Sequence, residues 1–233
     1  RWLASVSSGR DAAAPRSWIH RIRTLITGSA GLQLRRPMAV WAGTDGSFLV
    51  CDPGTPAIYE SRGDGRALRV FSASERLVTP VGIVRLPSGE VWVSDADRAV
   101  VVRLDARGRW RGEFGGGQLV RPTGLAWDAA RARLYVADAH AHCIRVFDAR
   151  GRHLADLGRR GVAPGEFDFP TDVKVAPSGE LVVCDALNGR IQRLTPDGRP
   201  LAVFGRPGDA PGDFGRPKSV ALDADGHGYV MDT

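Results

Sequence analysis

A tripeptide of valine, any residue and aspartate recurs along the chain at a nearly constant interval, and this repeat constrains the fold most. Its five copies are Val50-Cys51-Asp52, Val93-Ser94-Asp95, Val136-Ala137-Asp138, Val183-Cys184-Asp185 and Val230-Met231-Asp232. The aspartates are 43, 43, 47 and 47 residues apart. A proline opens each repeat at similar intervals: Pro37, Pro80, Pro122, Pro170 and Pro217. Self-similarity at such a period is typical of a repeat architecture.

Within one repeat, apolar and polar residues alternate with a period of two, which predicts short β-strands. The repeat that opens at Pro170 predicts strands over 172–175, 181–184, 190–194 and 200–204, separated by turns rich in Pro, Gly and Asp. Four short strands in a unit of this length are typical of a β-propeller blade. An apolar residue six positions after an aspartate is expected to pack on the next blade: Ile58, Val101, Ile144 and Ile191.

The fourth repeat carries a family pattern in the segments 169–173, 179–185 and 188–194, followed by Phe204-Gly205. This pattern resembles the NHL repeat family. The resemblance implies an all-β propeller of four-stranded antiparallel blades, usually six in number. We therefore predict an incomplete six-bladed ring over residues 36–233, with four full blades and part of a fifth. The predicted repeats are 36–78, 79–120, 121–169, 170–216 and a partial repeat over 217–233.

Residues 1–35 form a basic leader with a net charge of +5. Ser17 is a suitable N-cap and Gly28 a suitable stop for a short amphipathic helix over about residues 17–27. We expect this helix to pack on the propeller. The alternative is membrane contact through the leader arginines at 16, 21 and 23. The chain shows no signal peptide, but a loose resemblance to bacterial envelope propellers implies a cell-envelope or extracytoplasmic location.

The net charge of +6 suggests nucleic acid as a partner, but its distribution argues against it, because the repeats over 36–233 carry only +1. No apolar run is long enough to cross a bilayer. The odd number of cysteines argues against a disulfide framework, and Cys51 and Cys184 are expected to be buried thiols at equivalent positions.

In a propeller, the loops that follow the prolines and those that follow the aspartates lie on the same face. Candidate ligand or partner residues on this face are Thr123, Asp172, Lys218, His140, His142, Asn188 and Arg190. The recurring aspartates at 52, 95, 138, 185 and 232 are interpreted as structural, each capping the turn that follows it through backbone N–H groups. A catalytic acid is needed once or twice, not in every blade.

We predict no catalytic residue, no metal site and no cofactor. His140-Ala141-His142-Cys143 offers three potential ligands, whereas a structural zinc needs about four. Peptidyl-hydroxyglycine lyases, which share the repeat, hold zinc with histidines placed just after the blade-opening prolines. Those positions are Met38, Val81, Thr123, Thr171 and Lys218 in this chain.

The function predicted from the sequence is a non-catalytic NHL propeller scaffold that binds a protein or peptide partner on one face. The first alternative is a lyase or hydrolase whose metal site is completed by further blades. The second alternative is binding of single-stranded RNA, as some animal NHL propellers do. A nucleic acid is the less favoured partner because the repeats are nearly neutral.

Overall fold

The computed structural model of the protein describes residues 34–62, 68–73 and 75–233. The leader helix predicted over about 17–27 lies outside these residues. All regular structure in the described part is β-strand. No described helix has the length and hydropathy of a membrane span.

Eighteen strands follow one another along the chain. They are β1 (Ala39–Ala42), β2 (Ser47–Asp52), β3 (Ala57–Arg62), β4 (Arg69–Ala73), β5 (Pro80–Arg85), β6 (Val91–Asp95), β7 (Val100–Leu104), β8 (Trp110–Phe114), β9 (Pro122–Asp128), β10 (Arg133–Asp138), β11 (Cys143–Asp148), β12 (His153–Leu157), β13 (Pro170–Val175), β14 (Leu181–Asp185), β15 (Arg190–Leu194), β16 (Pro200–Phe204), β17 (Ser219–Leu222) and β18 (Gly228–Met231).

The strands form four antiparallel sheets of four strands, each a simple meander in chain order, and one sheet of two strands. We number the sheets blades 1 to 4 and name the pair β17–β18 unit 5. The first strands of consecutive blades, β1, β5, β9, β13 and β17, lie side by side, so the sheets radiate from a common centre. The predicted all-β propeller with four four-stranded blades is confirmed.

The second strand of each blade is the most buried because the neighbouring blades cover both of its faces. Every residue of β6 and of β14 is buried, and both strands are mainly apolar. The fourth strand is the blade's outer edge, and most residues of β12 and β16 are exposed. The burial of both faces explains why the second strands lack the polar alternation of a half-buried strand.

The cores lie between blades. Between blades 2 and 3, Trp92 packs edge-to-face on Trp127, with ring centroids 5.5 Å apart, and Val101 joins the same cluster as Leu125 and Leu134. Ile144 packs with residues of blade 4, and Ile191 with residues of unit 5. Each blade therefore depends on the next for burial of its apolar face, and the packing predicted for residues six positions after the aspartates is confirmed.

The innermost strands approach each other closely where a glycine leaves room. A Cβ atom on Gly82 of β5 would come within 2.1 Å of the carbonyl oxygen of Thr123 on β9. Ser94 of blade 2 donates its hydroxyl to that same oxygen. Glycine at this position thus sets the spacing between blades 2 and 3.

Candidate functional site

The loops that lead into the first strand of each blade and those that join its second and third strands lie at the same end of the propeller. We name this surface the top face. Among the recurring aspartates at the end of each second strand, those at 52, 95, 138 and 185 are completely buried there, whereas Asp232 is exposed.

Each recurring aspartate accepts hydrogen bonds from backbone N–H groups of the loop that leads into its own blade. Asp95 binds the N–H groups of Val78 and Thr79 over 2.7 and 3.0 Å. Asp138 binds those of Val120 and Arg121 over 2.9 and 2.8 Å. The equivalent donors are Arg35 and Arg36 for Asp52, Asp168 for Asp185, and Gly215 and Arg216 for Asp232.

The sequence predicted that these carboxylates cap the turn that follows them. That turn does contribute Gly54 N–H to Asp52 and Arg98 N–H to Asp95, over 2.8 and 3.3 Å. The donors found in all five repeats, however, lie 16 to 18 residues upstream. The carboxylates reach them because the blade meander returns the second strand to the end where the first strand begins.

Blade 4 adds side chains to this arrangement. Asp185 Oδ2 accepts hydrogen bonds from Arg190, Gln192 and Asn188, over 2.7 to 2.9 Å. The same guanidinium donates to the carbonyl oxygens of Val162, Ala163 and Glu166, while Asn188 donates to Gly161. Asn188 and Arg190, predicted as partner-binding residues, therefore hold the loop 158–169 in place.

His140 and His142 lie in the loop between the second and third strands of blade 3. The Nδ1 atom of His142 accepts a hydrogen bond of 3.2 Å from the backbone N–H of Phe169 in the next blade, and it lies 3.1 Å from a carboxylate oxygen of Asp168. The ring of His140 lies 5.3 Å from the ring of Phe169, measured between centroids. The two histidines therefore join blades 3 and 4 at the top face, each through a different contact.

Thr123, Asp172 and Lys218 lie on the innermost strands or at their entry, as predicted, but they differ in accessibility. The hydroxyl of Thr123 donates to the carbonyl oxygen of Ala137 over 3.0 Å. Asp172 is buried, pairs with Lys174 over 2.5 Å and accepts the N–H of Val220 in unit 5. Lys218 is exposed. Of these three side chains, that of Lys218 is the most available to a partner.

Asp97 and Arg121 form an ion pair between blades 2 and 3 that the sequence analysis missed. The oxygen–nitrogen distance is 3.2 Å, and the Thr79 hydroxyl donates to the other carboxylate oxygen of Asp97 over 2.5 Å. The hydrogen bond from Thr79, followed by the charges of Arg121 and Arg36, lowers the pKa of Asp97 against an opposing effect of burial. Asp97 is thus held as a carboxylate among cationic groups.

Exposed apolar side chains of the top-face loops were also missed. Val78 and Val120 occupy equivalent positions just before the blade-opening residues, and they are 46% and 52% exposed. Val162 projects from the loop 158–169 with 75% of its surface exposed, and Leu187 is 50% exposed. The signal in the sequence was available, since valine recurs two positions before Pro80 and Pro122.

Three metal-binding side-chain types, Asp223, Asp225 and His227, lie together in the turn between β17 and β18. This turn is at the end opposite the top face. The carboxylate of Asp223 already accepts the N–H groups of Asp225 and His227, and it also contacts the His227 ring and the Tyr229 hydroxyl. These bonds account for the turn without a ligand. The geometry is that of an Asx-type turn.

Cys51, Cys143 and Cys184 are free and buried, as predicted for the first and third. Burial raises the pKa of Cys143 and of Cys184 to about 12. Burial likewise raises the pKa of Cys51. Their thiols are therefore protonated and unreactive near neutral pH.

No protein-family model matches the chain. Among curated proteins, it is similar to the E3 ubiquitin-protein ligase NHLRC1 of Rattus norvegicus, with 36% identity over 74 residues, which are 31% of this chain and 19% of the ligase. It is also similar to NHL repeat-containing protein 2 of Gallus gallus, with 33% identity over 87 residues, which cover 33% of this chain and 12% of that protein. The matched segment thus spans less than a fifth of either relative.

The fold is similar to that of solved propellers. A streptogramin B lyase structure aligns with a TM-score of 0.64 at 15% identity, covering 84% of this chain and 62% of the lyase chain. A chain of a nidogen–laminin complex aligns with a TM-score of 0.60 at 20% identity, covering 72% of this chain and 62% of that chain. At such identities the likeness concerns the fold alone.

The radial four-stranded blades make this chain a β-propeller. Over about a third of its length, its repeats are similar in sequence to those of two NHL-repeat proteins.

Proposed function

We propose that this chain is a non-catalytic NHL propeller scaffold whose top face binds a protein or peptide partner. The observation that carries the proposal is that top-face loops of all four blades expose apolar side chains: Met38, Val78, Val120, Val162 and Leu187. Apolar side chains that remain exposed in neighbouring loops are typical of interaction surfaces. The hydrogen-bonded loops supply a fixed backbone on which these side chains are displayed.

Of the partner-binding residues predicted from the sequence, the exposed Lys218 and His140 are the ones proposed to contact the partner directly. The other five support the surface, because their polar atoms bind other parts of the protein: Thr123, His142, Asn188, Arg190 and Asp172. Three further features stay predictions: closure of the ring at six blades, the leader helix and a location in the cell envelope. All three were predicted from the leader sequence or from the family resemblance.

The lyase or hydrolase alternative needs a metal or a catalytic group at an accessible site. Within the described residues, the grouped metal-binding side chains are those of the turn 223–227, whose central carboxylate is already bonded. Metal analysis of the purified protein tests this alternative. A stoichiometric transition metal would favour it over the scaffold.

The scaffold is tested with random peptides displayed on phage and selected on the immobilised protein. We expect the enriched peptides to bind the double variant Val162→Glu/Leu187→Glu at least about tenfold more weakly, because two anchoring contacts are lost. The matched control is Leu201→Glu/Val203→Glu on the outer strand β16, since Leu201 and Leu187 are both 50% exposed. Equal loss in both variants, or no loss in either, would place the binding surface elsewhere.

A further inference from the structure

We infer that the partner presents acidic side chains to the mouth of the central channel; this inference rests on the proposed function and specifies its partner. The residues immediately before and after the five blade-opening prolines define the inner ring. They are Arg36, Met38, Thr79, Val81, Arg121, Thr123, Phe169, Thr171, Arg216 and Lys218. Four of these ten residues are cationic and none is acidic.

The cations of the inner ring are accessible. Arg36, Arg216 and Lys218 are exposed, and none of the three forms an ion pair with another described residue. Their positions are fixed by the backbone, because the N–H groups of Arg36 and Arg216 bind Asp52 and Asp232 over 2.9 and 2.7 Å. The side chains are therefore free to reach a ligand while the main chain stays anchored.

The carboxylates near the inner ring do not cancel this charge. Asp97 is shared between Thr79 and Arg121, and Asp172 is buried against Lys174. Asp168 lies beside His142, whose Nδ1 accepts the N–H of Phe169 and so donates no proton to it, but this single carboxylate is outnumbered by the four cations of the inner ring. The recurring aspartates accept hydrogen bonds from backbone N–H groups, and in blades 3 and 4 they also form ion pairs with Arg145 and Arg190. Asp97 thus faces two cations, Arg121 and Arg36, with a single charge. Because Arg216 and Lys218 form no ion pair with a described residue, the inner ring keeps a net positive charge toward solvent, which attracts anionic groups.

The composition of the inner ring favours an acidic peptide over single-stranded RNA. Sequence-tolerant binding of single strands relies on aromatic side chains on which bases stack. The aromatic residue of the inner ring is Phe169, and the ring of His140 already lies against it at 5.3 Å. Met38 and Val81 offer apolar contacts instead, and other top-face loops expose valines. This mixture of cations and aliphatic side chains fits a peptide in which acidic and apolar residues alternate.

The experiment uses a fluorescein-labelled peptide of alternating Glu and Leu, the same peptide with Gln in place of Glu, and a labelled oligouridylate. Binding is measured by fluorescence anisotropy to the wild type and to Arg36→Gln/Arg216→Gln. The control variant is Arg107→Gln/Arg150→Gln, which removes two exposed arginines from turns at the opposite end. It lowers the net charge equally, so nonspecific attraction to the basic leader is matched.

We expect the Glu peptide to bind the wild type and the control variant equally, and the inner-ring variant about five- to twentyfold more weakly, with the difference shrinking at high salt. Equal binding by all three proteins, binding of the Gln peptide as tight as that of the Glu peptide, or no binding of the Glu peptide overturns the inference. Tighter, arginine-dependent binding of oligouridylate overturns it in favour of RNA. The variant Val162→Glu/Leu187→Glu separates this inference from the proposed function. If the Gln peptide binds the wild type and loses binding only in that variant, the acidic partner is refuted while the peptide-binding scaffold is supported.

Discussion

Arg190 donates a hydrogen bond of 2.7 Å from its Nε atom to Oδ2 of Asp185, and both side chains are buried. The remaining guanidinium nitrogens bind three backbone carbonyl oxygens of the loop 158–169. A single side chain thus joins the end of the second strand of blade 4 to the loop that leads into the blade. The planar guanidinium suits this role because it points several donors in fixed directions.

Replacing Arg190 with alanine is expected to destabilise the protein by about 3–5 kcal/mol, since Asp185 would remain as a buried charge without its cation. Chemical denaturation of the purified variant measures this change. Arg190→Lys keeps the charge but not the fork of donors, so it should recover only part of the loss. The control is Arg193→Ala, which breaks a partly exposed pair with Glu180 and should cost less than about 1 kcal/mol. Equal losses in Arg190→Ala and Arg193→Ala would contradict the role assigned to Arg190.

The anchoring aspartates predict a contrast between a buried and an exposed copy of the same motif. Asp95→Ala leaves the N–H groups of Val78 and Thr79 without their acceptor in a buried environment, which should cost about 1–3 kcal/mol. Asp232→Ala removes equivalent bonds at an exposed site and should cost less, because water replaces the carboxylate. Amide hydrogen exchange adds a local readout: exchange at Val78 and Thr79 should accelerate in Asp95→Ala. Unchanged protection there would show that the carboxylate does not hold the loop.

The close approach of blades 2 and 3 predicts that Gly82 does not tolerate a methyl group. Gly82→Ala places a carbon against the carbonyl oxygen of Thr123, and the strands must separate to accommodate it. We expect a loss of about 1–3 kcal/mol in unfolding free energy, as for other overpacked sites. Gly116→Ala is the control, since the nearest atom to its added Cβ is 3.9 Å away, and its effect should stay within about 0.5 kcal/mol. A Gly82→Ala protein as stable as the control would refute this account of blade spacing.

The buried thiols predict slow modification of the native protein. Because burial raises the pKa of Cys143 and Cys184 to about 12, the reactive thiolate is scarce at pH 8. A chromogenic disulfide reagent should therefore label the folded protein slowly and all 3 cysteines rapidly in denaturant. Between pH 7 and pH 9, the labelling rate of the folded protein should change only because the thiolate fraction changes or because the fold opens transiently. Rapid labelling of one cysteine at pH 7 would mean that its thiol is accessible and its pKa is not raised.

The blades were predictable from the sequence because a period-two pattern and a fixed repeat leave few alternatives. The strands predicted over 190–194 and 200–204 coincide with β15 and β16. The first strand of the same blade begins at Pro170, two residues earlier than predicted. Pro170 pairs with Asp185, and the strand register shifts between Pro170 and Asp172. The alternation of apolar and polar residues does not predict such an irregularity.

The candidate site was harder to predict because much of it depends on backbone atoms. Asn188 and Arg190 were expected to face a partner, but they donate to carbonyl oxygens of the loop 158–169. Every residue has a carbonyl oxygen, so residue identity does not indicate which of them act as acceptors. The inner-ring arginines could be recognised from the sequence, since arginine stands just before the proline in the first, third and fifth repeats. The predicted ring contained the residue after each proline, whereas these arginines lie before it.

The loop into each blade is anchored by its main-chain N–H groups, and this makes the anchor independent of what those residues carry. The first anchored residue is Arg35, Val78, Val120, Asp168 or Gly215 in the five repeats, yet an aspartate binds the amide of each. The backbone amide is thus anchored in the same way whether the residue is cationic, aliphatic, acidic or glycine. A propeller built this way can change its recognition chemistry blade by blade through substitution, without redesign of the framework that holds the blades together.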